Sequence, residues 1–239
     1  MSADTQSLLM RIADALDRLA PRGGPVTDWQ AHPAYLWQGE SAREVPALLA
    51  PALDLLRGID QQKAVVVGNV LRHAEGHASH DMLLWGARGM GKSALLRSAV
   101  IAAQADRPPA IAMVQVAPGA LSGIAALFAA LGAVERQFLV YIDDLGFEDG
   151  DSTGPRQLRS WLEGGIEARP ANVRLAVTAN RRAIVSRHMS EQDDPINPRD
   201  VVDDRLALAD RFGLSVGFHA CDQDDYLAII KGYAADLGL

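Results

Sequence analysis

Gly86-Ala87-Arg88-Gly89-Met90-Gly91-Lys92-Ser93 is the stretch in which residue type and spacing speak most directly of chemistry. It matches G-x-x-x-x-G-K-[ST], a pattern whose glycines let the backbone curl around phosphate without a clashing Cβ. Backbone N–H groups from Gly86 to Ala94 would converge on one anion, at the start of a helix whose dipole adds positive charge. Lys92 is placed to reach the β- and γ-phosphates of a nucleotide, and the Ser93 hydroxyl to hold Mg²⁺.

A second polar group lies downstream. Phe138-Leu139-Val140-Tyr141-Ile142 is an apolar run that ends in Asp143-Asp144. Asp143 suits the outer partner of the metal at Ser93, and Asp144 suits orienting or activating an attacking water. Adjacent acids at a strand end can also be a turn signal, but the upstream phosphate loop favours the metal reading. Asp144 is shorter than the Glu usual in this role, and Glu148 stands nearby as an alternative base. Asn180 closes Val177-Thr178-Ala179-Asn180, where a neutral amide can sense the γ-phosphate; simple turn chemistry is the alternative. Arg211, in Asp210-Arg211-Phe212-Gly213, is a candidate arginine finger for a neighbouring subunit, against a surface arginine paired with Asp210. Arg169, Arg181 and Arg182 are lesser candidates for that face.

The elements that must position these residues follow from hydrophobic patterning. Met82 to Trp85 reads as a buried strand before the loop, and Ala94 to Ala103 as the helix after it. Further strands are expected at 110–116, 138–142, 173–178 and 214–219, with helices at 64–73, 121–131, 157–167 and 223–235. Strand–helix alternation predicts an α/β fold with a parallel sheet covered on both faces. Residues 2–20 have an amphipathic stripe of Leu8, Leu9, Ile12, Leu16 and Leu19, expected to pack at home rather than dock a partner. Pro21-Arg22-Gly23-Gly24-Pro25 ends that helix as a linker. Trp29, Tyr35 and Trp37 predict an irregular segment pinned to the core by its aromatics. Leu48 to Leu56 has helical spacing. His73, His77 and His80 have spacings that could suit a metal, but no cysteine accompanies them and Gly76 breaks the helix that would align them.

Composition narrows the class. With 49% hydrophobic and 22% charged residues in 239, the chain is globular rather than disordered. Its net charge of −7 argues against non-specific nucleic-acid binding over the whole surface. Cys221 is the only cysteine, so no intrachain disulfide forms and a reducing compartment is expected. No membrane span is visible and no leader pattern opens the chain, so the expected location is cytoplasmic.

Taken together these motifs resemble the AAA+ ATPases. More narrowly, the chain is similar to a bacterial AAA+ family known as domain of unknown function 815. The resemblance is carried by Ala31-His32-Pro33-Ala34-Tyr35, Gly58-Ile59-Asp60-Gln61-Gln62-Lys63, Leu83-Leu84-Trp85-Gly86-Ala87-Arg88-Gly89, Phe147-Glu148-Asp149-Gly150-Asp151, Leu162-Glu163-Gly164-Gly165-Ile166-Glu167-Ala168-Arg169-Pro170, Asn180-Arg181-Arg182 and Asp210-Arg211-Phe212-Gly213. It implies a P-loop NTPase αβα sandwich with a five-stranded parallel sheet in 5-1-4-3-2 order. It also implies homo-oligomers with nucleotide at subunit interfaces, and Ile59 and Val66 as contacts to adenine. The division expected is an N-terminal helical and aromatic extension (1–57), a nucleotide-binding core (58–221) and the first helix of a lid (222–239). The lid, with its second sensor arginine, is expected to be largely absent, which weakens hydrolysis. Gln115-Val116-Ala117-Pro118 departs from the more charged stretch expected there.

The expected function is an ATPase that binds Mg²⁺ and ATP and couples binding or hydrolysis to remodelling or regulating a macromolecular partner. Alternatives are a nucleotide-dependent binding module with negligible turnover, or a helicase-loader-like protein acting near DNA.

Overall fold

The computed structural model describes residues 27–106, 110–145, 158, 160–162, 169–180, 209–219 and 221–238. In chain order they give β1 (Ala34–Trp37), β2 (Ala42–Val45), a 3-10 turn (Leu53–Leu55), α1 (Asp60–Ala74), β3 (Met82–Gly86) and α2 (Lys92–Asp106). Then follow β4 (Ile111–Val116), α3 (Ile124–Gly132), β5 (Gln137–Ile142), β6 (Val173–Ala179), β7 (Leu214–Phe218) and α4 (Gln223–Asp236). The seven strands form one sheet in the order β2-β1-β4-β5-β6-β3-β7. Counted from β3, the run β7-β3-β6-β5-β4 is the expected 5-1-4-3-2 order, and every neighbouring pair in it is parallel.

Near-continuous apolar strands are what a sheet covered on both faces requires. Met82, Leu84, Leu139 and Tyr141 face α1 and α2, where they meet Val66, Val70, Leu95, Leu96 and Val100. Leu83, Val114, Phe138, Val140, Leu175 and Val177 face the other way, toward Leu127, Phe128 and Leu131 of α3 and toward Leu158 and Trp161. Phe128 and Trp161 meet edge to face at 6.1 Å. Parallel strands put all their carboxyl ends on one edge of the sheet, where the polar motifs lie.

Two expectations are corrected. The aromatic segment is not irregular: β1 and β2 form an antiparallel hairpin, and β1 pairs in parallel with β4, lengthening the sheet from five strands to seven. The backbone decides this, because an unextended β4 would leave its outer N–H and C=O groups unpaired. The aromatics do pin the segment: Trp29 packs 4.8 Å from Tyr35, and the Tyr35 hydroxyl donates to the Asp28 carbonyl at 2.6 Å. Arg136 locks the same loop, donating from Nη1 to the carbonyls of Trp29 and His32 at 2.9 and 2.8 Å. The helical spacing of 48–56 yields only the 3-10 turn Leu53–Leu55. Pro51 interrupts that segment, removing an N–H donor and disfavouring helix in the residue before it.

The amphipathic segment 2–20 lies outside the described residues. Among those described, no helix is long and apolar enough to cross a membrane.

The three histidines take separate structural roles. His77 Nδ1 lies 3.1 Å from Glu75, and the His80 backbone exchanges two hydrogen bonds with Asn69. His73 is buried, with Nε2 3.0 Å from the Phe138 carbonyl. A carbonyl only accepts, so Nε2 carries the proton. Burial holds the His73 pKa at about 4 against an ordinary 6.5, despite the opposing pull of that carbonyl. The unfolded chain therefore takes up a proton near 6.5 that the folded chain refuses until about 4, and stability falls as pH drops through this window. The expected loss is roughly 2 kcal/mol between about pH 7 and about pH 5. Urea unfolding at both pH values checks it, and His73→Gln should remove most of the difference.

Candidate nucleotide-binding site

β3 delivers the phosphate loop to the carboxyl edge of the sheet, and α2 begins at its end with Lys92. Gly89 and Gly91 have φ of +81° and +83°, which side chains other than glycine resist. Nothing lies within 4 Å of the place where a Gly89 Cβ would stand, so the loop leaves an open cradle. Lys92 is buried and donates from Nζ to the carbonyls of Gly86 and Ala87 at 2.6 and 2.8 Å. Burial pushes its pKa down, while Asp144 and Asp143 pull it back up.

Asp143 and Asp144 leave the end of β5 beside the end of β6. Ser93 Oγ donates to Asp143 Oδ1 at 3.0 Å, and Thr178 Oγ1 donates to the same oxygen at 2.7 Å. Burial works to raise the Asp143 carboxyl, but Tyr141, Thr178 and Ser93 outweigh it and hold the group below the usual carboxylate range. The fully buried Tyr141 hydroxyl lies close enough to polarise Asp143 without meeting the geometry of a hydrogen bond. Asp144 accepts from Arg88 Nη2 at Oδ2 (2.9 Å) and from Asn180 Nδ2 at Oδ1 (2.6 Å). Its backbone N–H donates to Thr178 Oγ1 at 2.8 Å.

Lys92, Ser93, Asp143, Asp144 and Asn180 are thus brought together from the start of α2 and the ends of β5 and β6. Thr178 belongs with them, although no motif singles it out. Its signal is a hydroxyl at the end of an otherwise apolar strand terminus, two residues before Asn180. Beside the loop, Ile59, Met90, Gly91 and Ala94 line a cavity of about 320 Å³. Arg57, His219, Cys221, Ile229 and Tyr233 are also in its wall, the last two from α4. Val66 does not reach this cavity; it is fully buried in the core between α1 and the sheet.

Arg211 is not part of this cluster. It precedes β7, whose first residue Leu214 is in register with Met82, at the amino end of the sheet. Arg169 sits near that end too, held by Asp81 at 2.6 Å. The opposite oxygen of Asp81 accepts the Leu175 N–H, so Arg169 is committed to fastening β6. Glu148, Arg181 and Arg182 lie outside the described residues.

A parallel sheet in this strand order, with a glycine loop after β3 and paired acids after β5, defines the AAA+ P-loop ATPase fold. RuvB from Thermotoga maritima, described as a Holliday junction branch migration motor, superposes with a TM-score of 0.52 at 19% identity, covering 81% of this chain and 56% of that one. A variant of the same protein gives a TM-score of 0.55 at 20% identity, with the same coverages. ORC1 from Aeropyrum pernix, solved in complex with DNA, gives 0.52 at 14% identity, covering 77% and 50%. The chain spans about half the length of these solved structures. Curated proteins give no match. The chain belongs to the family described as protein of unknown function (DUF815), which matches residues 30–239.

Proposed function

We propose that this chain is an ATPase core that binds Mg²⁺ and ATP in the loop 86–93 and uses binding or hydrolysis to remodel or regulate a macromolecular partner. The observation that carries it is the Ser93–Asp143 contact of 3.0 Å beneath a glycine loop that already gathers the Lys92 ammonium. Hydroxyl and carboxylate oxygens are the donors that Mg²⁺ prefers, so the residues present fit the ion. When bound, the ion neutralises charge on the β- and γ-phosphates. Lys92 binds those phosphates, Asp144 orients a water, and Asn180 fixes the Asp144 carboxylate. Ile59 and its neighbours take the adenine against α4, which acts as the first helix of a lid.

Arg211 stands a full strand length from its own loop, about 15 Å for a strand such as β7. As a finger it therefore serves the nucleotide of a neighbouring copy, which makes the active form a homo-oligomer. ATP turnover across a protein concentration series tests this. Turnover per subunit should rise with concentration and fall by about a thousand-fold in Arg211→Ala. Concentration-independent turnover that survives Arg211→Ala sinks the finger.

A second reading, a nucleotide-dependent binding module, is favoured by the capping of both Asp144 oxygens. Intact ATP binding with negligible turnover at every concentration would mark it. Action near DNA draws support from the two neighbours' descriptions, while the net charge of −7 opposes it. Single-stranded DNA binding at low salt decides that point.

A further inference from the structure

The loop that would wrap a triphosphate also carries the side chain that engages the water-orienting acid. Arg88 and Asp144 meet at 2.9 Å across 56 residues of sequence. Asn180 takes the other carboxylate oxygen, at 2.6 Å. Asp144 is held there at φ +50°, the one positive-φ residue other than glycine among the described residues. Its N–H is tied to Thr178, so backbone and side chain are both constrained. Each oxygen keeps a further acceptor site, but the Arg88 guanidinium on Oδ2 neutralises the charge that would orient and polarise a water there.

The Arg88 guanidinium uses one donor on Asp144 and is otherwise turned to solvent, its side chain 81% exposed. An exposed ion pair is weak and screened by salt. A terminal phosphate presents three oxygens and more charge, a better match to the planar fork of an arginine. Lys92 does not compete for Asp144, because its ammonium is bonded to the Gly86 and Ala87 carbonyls.

We propose that Arg88 is an exchange residue, moving from Asp144 to the γ-phosphate and thereby releasing one Asp144 oxygen for the attacking water. The inference rests on reading the loop as a triphosphate site. A diphosphate lacks the terminal group, so with ADP Arg88 stays on Asp144. The acid is thus free only when there is a γ-phosphate to cleave. Arg88 is a positioning residue for Asp144 and a direct ligand of the phosphate.

A double-mutant cycle on nucleotide affinity tests the exchange, using wild type, Arg88→Ala, Asp144→Asn and the double variant. The probes are a non-hydrolysable β,γ-imido triphosphate and ADP, each with Mg²⁺, titrated by calorimetry. Asp144→Asn removes the competing carboxylate, so it should tighten triphosphate binding two- to five-fold more with Arg88 present than in the Arg88→Ala background. ADP should show no such coupling. Equal tightening in both backgrounds would mean simple relief of charge repulsion and overturns the exchange. So does coupling of the same size for ADP. Both positions are exposed, so the variants should fold, and unfolding temperatures confirm it. If wild type binds neither nucleotide, or Lys92→Ala binds as well as wild type, the nucleotide reading fails and takes the exchange with it. Binding that depends on Lys92 without Arg88–Asp144 coupling removes the exchange alone.

Discussion

Lys92→Ala is expected to weaken binding of ATP with Mg²⁺ by at least about a hundred-fold while the chain stays folded. The ammonium is buried at the mouth of the loop, with two backbone carbonyls as its acceptors. A triphosphate replaces neutral acceptors with charged ones, and hydrogen bonds between charged groups contribute about 1.5–3 kcal/mol each. Removing two such hydrogen bonds costs roughly 3 kcal/mol or more, about a hundred-fold in affinity. The folded state is destabilised less, because Ala87 is exposed and water can take over its carbonyl, leaving only the buried Gly86 carbonyl without this partner. Calorimetric titration reads the affinity and a melting curve reads the fold. Wild-type affinity in Lys92→Ala would falsify the nucleotide reading.

Gly86→Ala should do the reverse, breaking the fold before it touches binding. Gly86 has φ +142°, and an added Cβ would stand 2.2 Å from the Phe218 carbonyl oxygen and 3.0 Å from its carbon. Those atoms are backbone, in register with Gly86 across the β3–β7 ladder, so no rotamer change relieves the clash. The ladder must open beside the phosphate loop, at a cost on the order of 4 kcal/mol. For a chain of this size that lowers the melting temperature by roughly 10 °C. Gly89→Ala is the control: its φ of +81° is unfavourable, but its surroundings are open, so the cost is about 1 kcal/mol. Equal losses at the two glycines would mean that backbone conformation, not close packing of β3 on β7, sets the penalty at Gly86.

The legible parts of this chain are those written in local spacing. Gly86 to Ser93 is contiguous, and Asp143-Asp144 follows an apolar run directly, so the loop and the paired acids read off as units. The same holds for the five parallel strands, each a short buried run whose order follows from the family resemblance. What escapes such reading joins residues far apart. The Arg88–Asp144 bridge, the Thr178–Asp143 bond and the Arg136 lock on the Trp29 loop span 56, 35 and 107 residues. No pattern within a window contains them. The β1–β2 hairpin escapes for a different reason. Four-residue strands are too short to declare a period, and Tyr35 and Trp37 announce burial without saying what backbone carries them. Leu48 to Leu56 misleads because its side chains keep a helical spacing across Pro51, which the backbone cannot carry as helix.

The hairpin determines how copies of this chain can meet. Without it, β4 would end the sheet as an open, apolar border ready to pair with any extended chain. The outermost strand is instead β2, four residues long, with Arg43 and Glu44 exposed at its middle. Short charged borders resist strand-to-strand joining. On that flank, self-association by sheet extension gives way to contacts through side-chain surfaces, and a crowded solution of this protein is protected there from growing fibres.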